Sequence, residues 1–197
     1  MYKIPAFLVA MRIVLAPLLT WLMMTRNFRL AAALYAVAVV SDIYDGVIAR
    51  KLGIATLRLR LADGYADIWL YLCMGAGIIL GFPNSLAGLA LPFFISMGLQ
   101  VGSWLFCLAR FGRITSYHSM MAKLTGLALL VGILTLLISG FVLPLTCALW
   151  IFVINLVEEI IMTALLPSYH HDVWNLKAAF ELRRRDLAER SASDESN

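Results

Sequence analysis

Residues 41–67, SDIYDGVIARKLGIATLRLRLADGYAD, carry four aspartates in a chain that has no acidic residue before them and none after them until Glu158. The apolar surroundings of this stretch decide the fold, and its acids decide the chemistry. Asp42 and Asp45 are three positions apart, and Asp63 and Asp67 are four apart. On helices, each pair shares one face.

Of the 197 residues, 62% are hydrophobic and 14% charged, which excludes a soluble globular domain. Apolar runs of about twenty residues recur, the length that crosses a bilayer core as a helix. They predict six spans, at about 5–25, 29–50, 64–82, 86–109, 120–139 and 143–166. The connections FPNS (82–85) and SGFV (139–142) carry the Pro or Gly that punctuates helices. The runs do not alternate as barrel strands do. The first run lacks a cleavage pattern and reads as a retained helix.

Basic residues orient the spans. Lys51, Arg58 and Arg60 follow the second run, Arg110 and Arg113 the fourth, and Lys177, Arg183, Arg184, Arg185 and Arg190 the last. The alternate connections hold only Arg26 and Arg29. Both termini and the acidic stretch are therefore expected on the cytoplasmic side, in the cytoplasmic membrane. The net charge of +4 follows from this topology, and no nucleic-acid partner is needed to explain it. Cys73, Cys107 and Cys147 stand singly within spans and read as buried thiols. Residues 1–168 read as a transmembrane domain and 169–197 as a cytoplasmic tail. Val173, Leu176, Phe180 and Leu187 form a loosely apolar side of a tail helix, beside an arginine cluster. Such a helix suits an anionic membrane surface, and a solvated helix that only maintains orientation is the other reading. Residues 191–197 read as disordered.

An ionised Asp at the centre of a lipid-facing helix costs about 2.5–3.5 kcal/mol, so four would cost on the order of 10 kcal/mol. Neighbouring arginines could compensate some of that, but this leaves the helical pairing unexplained. Hard divalent ions account for it better: Mg²⁺ takes oxygen ligands and joins carboxylates to substrate phosphates. Four carboxylates balance two such ions, and a two-ion site stabilises in-line displacement at phosphorus. The expected fold is an all-α integral membrane protein of six transmembrane helices, with a cytoplasmic-side metal site and a C-terminal amphipathic helix.

The run Asp42-Ile-Tyr-Asp45-Gly46-Val-Ile-Ala49-Arg50, followed at the proper distance by Asp63 and Asp67, resembles the signature of CDP-alcohol phosphatidyltransferases, D-x-x-D-G-x-x-A-R then G-x-x-x-D-x-x-x-D. The opening IPAFLVAMRIVLAPLLTWLM is similar to that of phosphatidylglycerophosphate synthases at Ile4, Pro5, Arg12 and Pro17. The resemblance implies a six-span, commonly dimeric enzyme using two Mg²⁺ or Mn²⁺ ions. It would transfer a phosphatidyl group from CDP-diacylglycerol to an alcohol such as glycerol 3-phosphate and release CMP. Asp42, Asp45, Asp63 and Asp67 would hold the metals, and Asp67 would also take the proton of the acceptor hydroxyl. Asp42, Gly46, Ala49 and Arg50 would meet the nucleotide and diphosphate. Two departures stand out: the second motif glycine is Leu59, and the Asn and Thr common in the opening helix are Ala6 and Val9.

For the acceptor, Arg110, Arg113 and Lys123 form a candidate phosphate-binding set. Of these, only Lys123 matches the family's Gly-Lys-x-Lys stretch, and Arg110 and Arg113 also suit plain topological signals. Arg12, Glu158 and Glu159 lie inside spans and require polar partners. The expected arrangement is an ion pair of the glutamates with Arg12 or Lys123. His118 is next to the basic connection, while His170 and His171 show no ligand set. Membrane prenyltransferases also hold Mg²⁺-diphosphate on aspartates, but they need a second Asp-rich motif. The non-enzyme alternatives are an inactive relative blocked at Leu59 and a transporter using the aspartates as an ion or proton site.

Overall fold

The computed structural model describes residues 3–51, 57–112, 119–168, 170 and 173–195, with the side chains of 3–6, 42–51, 57–61, 63 and 187–195 outside the description. Among the described residues seven α-helices follow one another: α1 (Lys3–Met24), α2 (Phe28–Lys51), α3 (Leu57–Gly81), α4 (Leu86–Phe111), α5 (Met120–Ser139), α6 (Leu143–Leu165) and α7 (Leu176–Glu195), with a 3₁₀ turn at Pro83–Ser85. No strand occurs among the described residues. Among the described residues, five stretches are long and apolar enough to cross a membrane: Phe7–Met24, Gly64–Gly81, Pro83–Phe111, Met120–Ser139 and Leu143–Leu165. Within the expected second span, Phe28–Ser41 is an apolar stretch of α2, and the side chains that follow it lie outside the described residues. The remaining turns of α2 carry Asp42, Asp45, Arg50 and Lys51. Helix α7 continues to Glu195, through residues that the sequence had read as disordered.

The breaks have local causes. Arg26 adopts a left-handed φ of 59°. Around it, the N–H of Asn27 donates to the Leu22 carbonyl at 2.8 Å and that of Arg26 to Met23 at 3.0 Å, which is the Schellman closure of α1. Gly140, at φ 70°, ends α5 in the SGFV connection, and its N–H donates to Leu136 at 2.8 Å.

The chain forms two compact units, Met1–Ala87 with Ile133–Val142, and Gly88–Gly132 with Leu143–Asn197. In the first, α1 packs against both α2 and α3. The α1–α3 seam is stitched by polar groups along its length. Pro17 of α1 has no N–H, so the Ile13 carbonyl loses its helical partner. The indole Nε1 of Trp69 donates to that carbonyl at 3.2 Å. One turn on, the Thr20 hydroxyl donates to the Cys73 carbonyl at 2.7 Å. Further along, Gly77 and Gly81 take the place of side chains: a Cβ at Gly77 would lie 2.8 Å from Met23 Sδ, and one at Gly81 3.1 Å from the Met23 carbonyl. This small-xxx-small spacing lets the two backbones approach. Positions 13, 20 and 23 of α1 thus meet 69, 73 and 77 of α3 in ascending order, so the helices run parallel; α2, which joins them in sequence, packs on α1. Stacked rings of Phe28 and Phe82, with centroids 4.4 Å apart, close one end of the unit. The other end carries the aspartates.

In the second unit, α5 and α6 cross closely, since a Cβ at Gly132 would lie 2.7 Å from Leu145 Cα. Met162 and Leu166 at the end of α6 bury Val173 and Ala179, with Phe111, Leu176, Ala178 and Leu182 packed around them. The Ser168 hydroxyl donates to Asp186 Oδ2 at 2.6 Å, and His170 Nε2 lies 2.9 Å from the same oxygen. Helix α7 is thereby held against α6. Cys73 and Cys107 are buried as expected, but Cys147 is exposed, because its position on α6 points outward.

Candidate functional site

The helical backbone of α2 includes Asp42, Asp45, Gly46, Ala49 and Arg50 near its C-terminal end, and α3 includes Leu59, Asp63 and Asp67 near its start. The register puts Asp42 with Asp45, and Asp63 with Asp67, on single helix faces, at the two helix ends joined by residues 52–56. Apart from Asp67, the side chains of these residues lie outside the described residues. Among the described residues, no group of three or more His, Cys, Asp or Glu is placed to hold a metal ion.

Asp67 is described, and its environment is specific. Arg12 Nη1 donates to Asp67 Oδ1 at 2.5 Å, with the Arg12 side chain fully buried and that of Asp67 38% exposed. The register of the α1–α3 seam sets this pair one step beyond the Ile13–Trp69 contact. The expected pairing of Glu158 and Glu159 with Arg12 or Lys123 is therefore corrected: Arg12 binds Asp67, and neither glutamate is in an ion pair among the described residues. Glu159 is held instead by neutral donors. Asn155 Nδ2 donates to Glu159 Oε1 at 3.4 Å, and the Ser119 hydroxyl donates to Asn155 Oδ1 at 3.3 Å. Ser119 Oγ also caps α5 by accepting from the Ala122 N–H at 3.0 Å. The Asn155–Glu159 bond lies within α6, and Ser119 ties Asn155 to the start of α5, so the acid meets a neutral amide rather than a counter-ion.

An open apolar groove of about 450 Å³ runs between α1 and α2, lined by Leu8, Met11, Ala36, Val37, Val40 and Ser41. It ends at the residue preceding Asp42. The groove carries no charge, so what it suits is hydrocarbon.

The acceptor candidates separate. Arg113 and His118 lie outside the described residues. Arg110 Nη2 donates to the Leu166 carbonyl at 3.1 Å and its guanidinium sits 5.6 Å from the Phe111 ring centroid. It therefore caps the C-terminal end of α6, where a cation offsets the helix dipole. Lys123 is exposed, and its ammonium lies 4.6 Å over the Trp174 ring. His170, which showed no ligand set in the sequence, pairs with Asp186.

Sequence reasoning missed two partnerships. Arg12 gave a signal, a lone cation in an apolar run, but not the identity of its partner. Trp174 gave none, because its contact with Lys123 arises from the chain folding back after α6.

A family model described as CDP-alcohol phosphatidyltransferase matches residues 2–160. No curated protein matches the chain, and no solved structure does. The match spans most of the chain and contains α1 to α3 with all four motif aspartates. The protein belongs to the CDP-alcohol phosphatidyltransferase family.

Proposed function

We propose that the protein transfers a phosphatidyl group from CDP-diacylglycerol to an alcohol acceptor, with glycerol 3-phosphate the leading candidate, and releases CMP. The observation that carries this reading is the aspartate signature, set in helical register on the adjoining ends of α2 and α3. The family supports phosphatidyl transfer within a membrane protein; the donor lipid, acceptor and metal are our inference.

The donor set fits a divalent cation by its chemistry: four carboxylates at i,i+3 and i,i+4 spacing offer hard oxygen ligands and no soft ones. Asp42, Asp45, Asp63 and Asp67 would hold two Mg²⁺ or Mn²⁺ ions, which when bound would offset the negative charge of the diphosphate. Asp42, Gly46, Ala49 and Arg50 would receive the nucleotide and its diphosphate. The apolar groove beside Ser41 would take an acyl chain of the donor. Asp67 would accept the acceptor's hydroxyl proton while the new oxygen–phosphorus bond forms and the bond to the CMP phosphate breaks. Arg12 would keep the Asp67 carboxylate turned in one direction through its bond to Oδ1. Arg110, Arg113 and Lys123 would attract a phosphorylated acceptor. Helix α2 would be a sixth crossing, with the termini on the cytoplasmic side of the cytoplasmic membrane, and the enzyme would act as a homodimer. Residues 1–168 would form the catalytic domain and 169–197 its tail.

The test supplies purified protein with labelled CDP-diacylglycerol and a panel of alcohols, with Mg²⁺, Mn²⁺ or chelator. Metal-dependent CMP release coupled to one new lipid is expected. Failure with every acceptor, in folded protein and with both metals, would refute the reading.

A further inference from the structure

The segment after α6 does not trail away from the acceptor cations. Three contacts within the second unit bring it back onto the start of α5. The Met120 N–H donates to the Trp174 carbonyl at 3.0 Å, satisfying one of the first-turn donors that a helix leaves without internal partners. Val173, next to it, is 1% exposed and locked against Met162 and Leu166. The Trp174 ring then lies beneath the Lys123 ammonium at 4.6 Å, while remaining 56% exposed itself.

This arrangement has a chemical consequence. A lysine stem has four flexible carbons, and fixing it costs conformational entropy each time a ligand binds. An aromatic face holds the ammonium in place without neutralising it, whereas a carboxylate partner would cancel its charge. Among the described residues no carboxylate pairs with Lys123. The cation is held still and kept charged, which is what capture of an anion requires.

We infer that Trp174 is a positioning residue that presents the Lys123 ammonium to a phosphate-bearing acceptor, so that the segment joining α6 to α7 belongs to the acceptor side of the enzyme. The inference rests on the proposed acceptor role of Lys123. Trp174 does not itself touch the acceptor: it acts through Lys123.

The experiment compares Trp174→Phe and Trp174→Leu in full-length protein reconstituted in lipid nanodiscs. Both variants keep apolar volume, but only Phe keeps a π face. Binding of glycerol 3-phosphate and of inorganic phosphate is measured by calorimetry, and KM and kcat are measured with glycerol 3-phosphate as acceptor. Trp174→Leu should weaken binding and raise the acceptor KM about two- to fivefold, the range of an exposed cation–π contact. Its kcat and its KM for CDP-diacylglycerol should be unchanged, and Trp174→Phe should match wild type. In a Lys123→Met background, Trp174→Leu should add no further loss. Equal binding by wild type and Trp174→Leu would overturn the inference, as would a loss that persists without Lys123. If wild type binds neither probe yet releases CMP with an uncharged alcohol, the inference falls and the transferase reading stands. If binding responds as expected but no CMP is released with any alcohol, the transferase reading falls and the positioning role stands.

Discussion

Replacing Asp67 by Asn looks, from sequence, like a clean removal of a base. The structure makes it a structural perturbation as well, because Asp67 carries the ion pair to Arg12, whose side chain is fully buried. The two partners differ in solvation, and this sets unequal costs. Arg12→Met leaves behind a carboxylate that is 38% exposed and partly hydrated, so the loss should be about 1–2 kcal/mol, the lower part of the range for a hydrogen bond to a charged group. Asp67→Asn takes a carboxylate away from a guanidinium that is fully buried, and should cost about 2–3 kcal/mol, the upper part of the range for a hydrogen bond to a charged group. For a chain of this length, about 2–4 °C of melting temperature corresponds to each kcal/mol. The double variant should be less destabilised than the sum of the singles by about 1–2 kcal/mol. Unfolding of all four proteins in mild detergent measures these values. CMP release, assayed below every midpoint, should fall about 10²–10⁴-fold in Asp67→Asn if it is the base, and about 10²-fold in Arg12→Met if a misdirected carboxylate is the defect. Additive stability losses would show that the pair is not an energetic unit. An Arg12→Met enzyme with normal turnover would refute the orienting role.

Added Mg²⁺ or Mn²⁺ should raise the melting temperature and chelator should lower it, because bound ions relieve repulsion among the four aspartates; no shift in wild type counts against a metal site. Val40→Trp should fill the groove lined by Leu8, Met11 and Val37 and raise the KM for CDP-diacylglycerol several-fold, leaving the metal-induced thermal shift in place. An unchanged KM would show that the acyl chain lies elsewhere. Arg26→Gly should raise stability by about 1 kcal/mol in thermal unfolding, since Arg26 holds a left-handed φ of 59° that costs an L-residue about that much. Gly132→Val should destabilise by about 2–3 kcal/mol or prevent folding, because even a Cβ there would lie 2.7 Å from Leu145 Cα, and overpacking against backbone has no side chain to relax.

The all-helical class was legible in the sequence because the hydrocarbon core imposes it: backbone polar groups must be satisfied within the segment, and runs of about twenty apolar residues have few alternatives to a helix. The helix breaks at Gly140 and around Pro83 were legible for the same local reason. So was the family, since a signature of aspartates, glycine and arginine at set spacing is a property of one short stretch and needs no tertiary information. Composition speaks less plainly where a helix is mixed in character: α2 joins the apolar stretch Phe28–Ser41 to turns that carry Asp42, Asp45, Arg50 and Lys51. What the sequence could not supply was pairing across distance. Arg12 announced that it needed a partner, but Asp67 and Glu159 were equally eligible by charge. The α1–α3 register decided between them, through Trp69 on the carbonyl freed by Pro17 and the close approach at Gly77. Likewise nothing in the string of letters joins Lys123 to Trp174. Their contact exists because Val173 and Ala179 find burial against Met162 and Leu166, and that burial turns the chain back over the start of α5. Local chemistry is written in neighbouring residues, whereas the choice among distant partners is made by which apolar surfaces pack together.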